Sequence, residues 1–294
     1  MSEWPPEDGA TLVDGMPEEE YHAHPSLSAS GMKQLLRSPK HYLQSRTERV
    51  EKPAFDVGHA AHALVLGVGQ PIAQIDEGLL SADGGIRSNA AKAKVEEIRA
   101  EGKIPLKPAT YQKVVGMRDA VLANAKARAI LELPRYTEVS LFAIDPETGV
   151  PLRGRLDVLA GSLCGDVKTT PDVREFKLRG VIQDFGYDVQ GEVYRLLVQL
   201  VLGVEPEPVQ LIFVEKEAPY EVRVVKLGAG WQAGGHARMR KAIEIFQTCV
   251  EFGIWPGADD EEGEATEIDP PAYYFADVAR TTGLDLRDAM AGVL

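Results

Sequence analysis

The sequence predicts an α/β sandwich, with one central mixed sheet and helices packed on both of its faces. Three observations predict it. Five stretches, 136–144, 150–159, 163–169, 209–216 and 220–226, alternate apolar and polar residues at the period of a strand. Between and after them, 181–202 and 231–252 place apolar residues three and four apart, the period of a helix. Strand pairs separated by a long helical segment make a mixed sheet rather than a meander. The 294 residues, 44% hydrophobic, suffice for one large core.

In chain order, Ser28 is a helix-start signal for a helix to Leu36, and Ser38-Pro39 ends it and opens the next, because proline suits a first helical position. Residues 52–67 form a helix carrying Gly58-His59-Ala60-Ala61-His62, whose small side chains allow close approach. Residues 68–83 read as irregular. Helices are expected over 88–101 and 109–131, separated by Gly102-Lys103-Ile104-Pro105. Arg87 precedes the first of them, where free N–H groups favour an anion. A short helix beginning near Pro171 leads into the long one over 181–202. The turn Glu217-Ala218-Pro219 joins the last two strands, and a final short helix is expected over 278–294.

The chemistry concentrates in the middle strands. On 150–159, alternation sets Arg153, Arg155 and Asp157 on one face and Leu152, Leu156 and Val158 on the other. The turn Ala160-Gly161-Ser162 returns the chain so that Asp166 and Lys168 share a face of the next strand. Two carboxylates on a hard divalent cation beside a lysine are the parts that phosphodiester hydrolysis needs. An isolated Asp-x-Lys is more often a pair of solvated strand-end residues. Gln190 and Tyr194, four apart on a helix, share a face, and the strand 136–144 carries Glu138.

A Gly-x-x-x-His helix, a strand glutamate, a Gly-Arg-x-Asp strand, an Asp-x-Lys-Thr strand and a Gln-x-x-x-Tyr helix follow one another in that order. This ordered set resembles the PD-(D/E)xK nucleases of the RecB type, most of all the RecE-type exonuclease VIII group. The likeness covers roughly residues 20–253, including the opening segment from Pro25 to Tyr42. It implies a restriction-endonuclease-like core in which His62, Asp157, Asp166 and the Val167 carbonyl bind one or two Mg²⁺ or Mn²⁺ ions. Lys168 would be the catalytic lysine, and Glu138, Gln190 and Tyr194 would support the site. The resemblance further implies degradation of linear duplex DNA from 5′ to 3′, leaving a 3′ single strand for an annealing protein of the RecT type. A ring-shaped trimer or tetramer and a phage setting are implied in the same way.

On this reading residues 1–20 are an acidic tail and 21–256 a single nuclease domain, with a helical insert at about 86–131 and a catalytic core at about 136–227. Residues 257–294 are an acidic linker and tail, with an apolar patch from Pro270 to Phe275. Arg87, Arg153 and Arg155 are candidate phosphate contacts; Lys33, Arg37, Lys40, Arg46 and Arg49 could touch DNA backbone, and Lys92, Lys94, Arg99, Lys126 and Arg128 could line a DNA channel. A net charge of −13 looks wrong for that substrate, but seven acids lie in 1–20 and seven in 259–269. Without those fourteen, 31 of the chain's 45 acids face 32 bases, so the remainder is nearly neutral. Two cysteines, Cys164 and Cys249, make no four-cysteine site, so no iron-sulfur cluster is expected. No run approaches the roughly 18 apolar residues of a membrane span, and the acidic amino terminus lacks a signal's basic region, so a cytoplasmic location is expected. A structure-selective or single-strand endonuclease of the same fold, and a non-catalytic DNA-end-binding subunit, are the two alternatives.

Overall fold

The computed structural model describes residues 9–47, 53–260 and 265–283. Glu3, Glu7, Asp8, Arg49, Glu261, Glu262, Glu264 and the end of the helix expected over 278–294 lie outside these residues. The chain divides into two units, Met1–Ala258 and Asp259–Leu294.

The first unit begins with β1 (Ala10–Val13), α1 (Glu18–Ala23) and β2 (Leu27–Ser28), followed by α2 (Ala29–Arg37), α3 (Pro39–Thr47) and α4 (Pro53–Leu66). Next come β3 (Ile72–Gln74), α5 (Asn89–Ala100), β4 (Ile104–Leu106), α6 (Pro108–Ala123) and α7 (Ala125–Leu131). The middle of the chain supplies β5 (Tyr136–Ile144), β6 (Pro151–Ala160), β7 (Leu163–Thr170), α8 (Glu175–Asp184) and α9 (Tyr187–Leu202). β8 (Gln210–Glu215), β9 (Val222–Lys226) and α10 (Ala229–Phe252) complete it. The second unit contains α11 (Ala272–Thr282), on which Tyr273 and Tyr274 are exposed.

The main sheet has the order β1-β5-β6-β7-β8-β9, with β2 beside β6. β7 and β8 are parallel, as the crossover through α8 and α9 requires, while β5, β6 and β7 are antiparallel neighbours. One face is covered by α2, α8, α9 and α10, around Met32, Leu178, Val193, Leu197 and Ile243. The other is covered by α4, α6 and α7, around Ala60, Ala61, Met117 and Ile130. The expected mixed sheet flanked by helices is the architecture observed.

Several boundaries differ from those the sequence suggests. Residues 10–13, placed in a solvated tail, pair with β5 as an edge strand, and α1 follows. The helix expected without interruption over 181–202 breaks at Gly186, whose φ of 61° is left-handed, so that α8 and α9 are separate. The one expected over 109–131 breaks at Asn124, whose Oδ1 accepts the Lys126 and Ala127 N–H groups and starts α7. The stretch read as irregular contains β3, which pairs with β4 in the supposed linker. At the start of α2 the sequence signal is realised, since Ser28 Oγ accepts the Gly31 N–H.

Candidate active site

The site forms where two strands stop pairing. The β6–β7 ladder runs from Ala160 and Leu163 to Val158 and Gly165 and ends there. One step further on stand Asp157 and Asp166. In place of the missing rung, the Val167 N–H donates to Asp157 Oδ2 at 2.7 Å, so a side chain satisfies a backbone group that the sheet has released. On the opposite edge of β6, β5 pairs through Thr137–Val158 and Val139–Leu156 and omits Glu138, whose φ is 54°. A non-glycine residue there costs on the order of 1–3 kcal/mol, and such costs gather at functional sites. The distortion also breaks the alternation of β6. Leu152, Leu156 and Leu159 pack in the α9-side core, whereas Val158 packs in the α4-side core. The strict alternation expected for Leu152, Leu156 and Val158 fails at this point, because Glu138 and Asp157 are out of the regular pleat.

On the α4 side, His62 bridges two carboxylates. Its Nδ1 is 2.7 Å from Glu138 Oε1 and its Nε2 is 2.5 Å from Asp157 Oδ2. Burial opposes charge on the imidazole, but Asp157 and Glu138 outweigh it and raise the pKa to about 10. Burial would likewise raise Asp157, yet the adjacent imidazolium holds it below the ordinary carboxylate value. The close packing that places His62 here comes from Ala60 and Ala61, both fully buried on the same helix.

On the α9 side, Asp166 is 1% exposed. Gln190 Nε2 donates to its Oδ1 at 2.8 Å and to the Tyr194 hydroxyl at 2.8 Å. The Tyr194 hydroxyl in turn donates to the Arg155 carbonyl at 2.7 Å, tying α9 to β6. Close approach of α9 requires Gly154, where a Cβ would come within 2.7 Å of Leu197 Cδ1. Lys168 Nζ is 2.6 Å from Asp166 Oδ2, but that oxygen accepts no well-aligned hydrogen bond. Burial and the Asp157 charge push Asp166 above its ordinary pKa, against the pull of Lys168. Burial works against the Lys168 charge, and Asp166 and Asp157 overcome it, so its pKa is raised.

Lys168 Nζ also lies 4.8 Å from the centre of the Tyr187 ring, and Lys33 Nζ 5.8 Å from it. Lys33, Lys168, Tyr187, Gln190 and Tyr194 line a cavity of about 340 Å³. Tyr187 is the neighbour that the sequence did not single out. The signal for it is Phe185-Gly186-Tyr187, a glycine between aromatics inside what otherwise looks like one helix.

The two arginines of β6 are used differently from expectation. Arg153 is 4% exposed and donates to the carbonyls of Tyr21, His22 and His24. Arg155 donates to the Met16 carbonyl at 2.7 Å and to Ser140 Oγ at 3.1 Å. Both bind backbone carbonyls of residues 16–24 instead of facing a phosphate, because that segment, of which only 16–20 belongs to the expected tail, folds over them. Arg87 is exposed and paired with Asp83.

His62, Glu138 and Asp157 each offer a ligand atom, all within 4.8 Å of one another. One imidazole nitrogen and carboxylate oxygens are donors that suit a divalent cation. Asp166 Oδ2, buried and paired with Lys168 without a well-aligned hydrogen bond, is a further oxygen within this cluster. Asp166 itself stands outside the three-residue group, turned toward Lys168 and Gln190, while Glu138, expected only as support, belongs to it.

A mixed sheet whose central strands part around Asp157 and Asp-Val-Lys, with helices on both faces, defines the class: a PD-(D/E)xK core. The chain belongs to DUF3799, a PDDEXK-like domain of unknown function, which matches residues 28–265. Among solved structures it is similar to a candidate exonuclease from Eubacterium rectale, with 14% identity, 92% of this chain and 100% of that one covered and a TM-score of 0.57. It is also similar to a phage-related exonuclease from Haemophilus somnus, with 12% identity, 79% and 97% covered and a TM-score of 0.34. No curated protein matches the chain. Among the described residues, no helix is long and apolar enough to cross a membrane.

Proposed function

We propose that this protein is a divalent-metal-dependent nuclease that hydrolyses phosphodiester bonds of linear duplex DNA, from 5′ to 3′, and leaves a 3′ single strand for annealing. The observation that carries the reading is the meeting of Asp157, Asp166, Lys168 and His62 at the point where β6 and β7 separate. That cluster gives the hydrolysis chemistry, while the direction and the overhang rest on the motif order shared with the exonuclease VIII group.

His62, Asp157, Asp166 and Glu138 would hold the ion. When bound, it neutralises phosphate charge and makes a water easier to deprotonate. Lys168, beside Asp166, is placed to orient the attacking water or a phosphate oxygen. Gln190 fixes Asp166, and Tyr194 fixes Gln190 against the β6 backbone. Arg87, at the entry to α5, is a proposed phosphate contact. A RecT-type annealing partner and a ring oligomer extend the same reading.

The test is nucleotide release from 5′-labelled and 3′-labelled linear duplex, and from closed circular duplex, with Mg²⁺, Mn²⁺ or EDTA. Metal-dependent loss of the 5′ label first, with the circle intact, is expected. Nicking of the circle would favour an endonuclease, and binding without cleavage an end-binding subunit.

A further inference from the structure

Phe185 is spaced to belong to the buried stripe of α9, yet its side chain is 59% exposed. The break at Gly186 puts it at the mouth of the cavity beside Lys168, stacked on Tyr187 with ring centres 5.8 Å apart and planes inclined by 19°. Lys33 Nζ donates to the Phe185 carbonyl at 2.9 Å, and a Cβ on Gly186 would come within 2.6 Å of Lys33 Cδ. Two ammonium groups thus flank the inner ring of an aromatic stack whose outer ring faces solvent.

An apolar surface with that charge around it fits one kind of occupant. A nucleobase presents a flat π-face to the ring, while the phosphate attached to its sugar reaches the neighbouring cations. Lys168 is already paired with Asp166, but Lys33 donates to a neutral carbonyl, and an apolar protein segment would make no use of its charge. Resting on the nuclease reading above, we propose that Phe185 and Tyr187 form a stacking platform for an unpaired base next to the scissile phosphate, with Lys33 holding the backbone. The platform is indifferent to base identity and selects for a frayed or single-stranded end at the site.

The experiment measures binding of end-frayed duplexes to the full chain in Ca²⁺, with 2-aminopurine or an abasic residue at each of the terminal positions in turn. Stacking quenches 2-aminopurine. At one position, wild type is expected to quench the probe and Phe185→Ala to lose both the quench and about tenfold in affinity, as removal of one base–aromatic stack does. Phe185→Trp should retain both. With the abasic residue at that position, wild type and Phe185→Ala should bind alike. Equal affinity of Phe185→Ala and wild type for the base-bearing DNA, or an equal loss on abasic DNA, overturns the platform alone. A wild type that binds no DNA overturns it together with the nuclease reading.

Discussion

Asp157 and Asp166 occupy equivalent positions, each one residue past the last β6–β7 pair, and their surroundings differ in kind. The α4-side half surrounds Asp157 with an imidazole and a backbone N–H, and keeps it ionised. The α9-side half buries Asp166 among a lysine, an amide and Asp157's own charge, and pushes its pKa up. On the proposed function the difference is a division of labour: the first half gathers three ligand residues, and the second supplies Asp166 and sets it against Lys168.

The sharpest break of that comparison uses Lys168→Ala against His62→Ala. Lys168→Ala should lower single-turnover cleavage by about 10³-fold, the order seen when a preorganised donor is removed, without weakening Mn²⁺ binding in titration calorimetry. His62→Ala should weaken Mn²⁺ by about 10–100-fold and regain activity as the metal is raised. If the two variants lose metal affinity equally, the halves are not separate. A smaller effect is expected at the strut between them. Tyr194→Phe leaves the Arg155 carbonyl without its donor and should cost about 1–3 kcal/mol in urea unfolding. Unchanged stability would mean that water replaces the hydroxyl.

The smallest effect is a pH dependence. Burial first, then Lys168, lowers the Lys33 pKa from 10.5 to about 8, with Asp166 and Asp188 opposing and Arg238 assisting. Its charge is therefore present below about 8 and lost above, so DNA affinity should fall as pH rises through that value. The sign for stability is opposite. Between 8 and 10.5 the unfolded chain binds the extra proton, so this group's burial penalty is relieved as pH rises. Lys33→Met should flatten both dependences, and an unaltered affinity profile would remove Lys33 from the DNA.

Much of the site was legible because strand alternation and helix spacing are local. Asp166 with Lys168, and Gln190 with Tyr194, are pairs whose relation follows from backbone period alone. The irregularities were not. A left-handed glutamate carries no sequence mark, and without Glu138's φ of 54° the side change at Asp157 cannot be inferred. The four-residue β1 hides in acidic surroundings, and its pairing with β5 spans more than a hundred residues. Arg153 and Arg155 were placed on the correct strand, but the carbonyls they bind lie in residues 16–24, more than a hundred residues away in the chain.

Those two arginines bear on where the working unit can be trimmed. The family match begins at residue 28, and an experimenter who cut there would keep every residue of the candidate active site. The cut would also take β1 from the edge of β5 and remove the Met16, Tyr21, His22 and His24 carbonyls that the guanidinium groups bind, leaving both arginines to be met by water instead. The boundary drawn by homology and the boundary drawn by solvation are therefore different, and a truncated protein that fails to fold would say nothing against its active site.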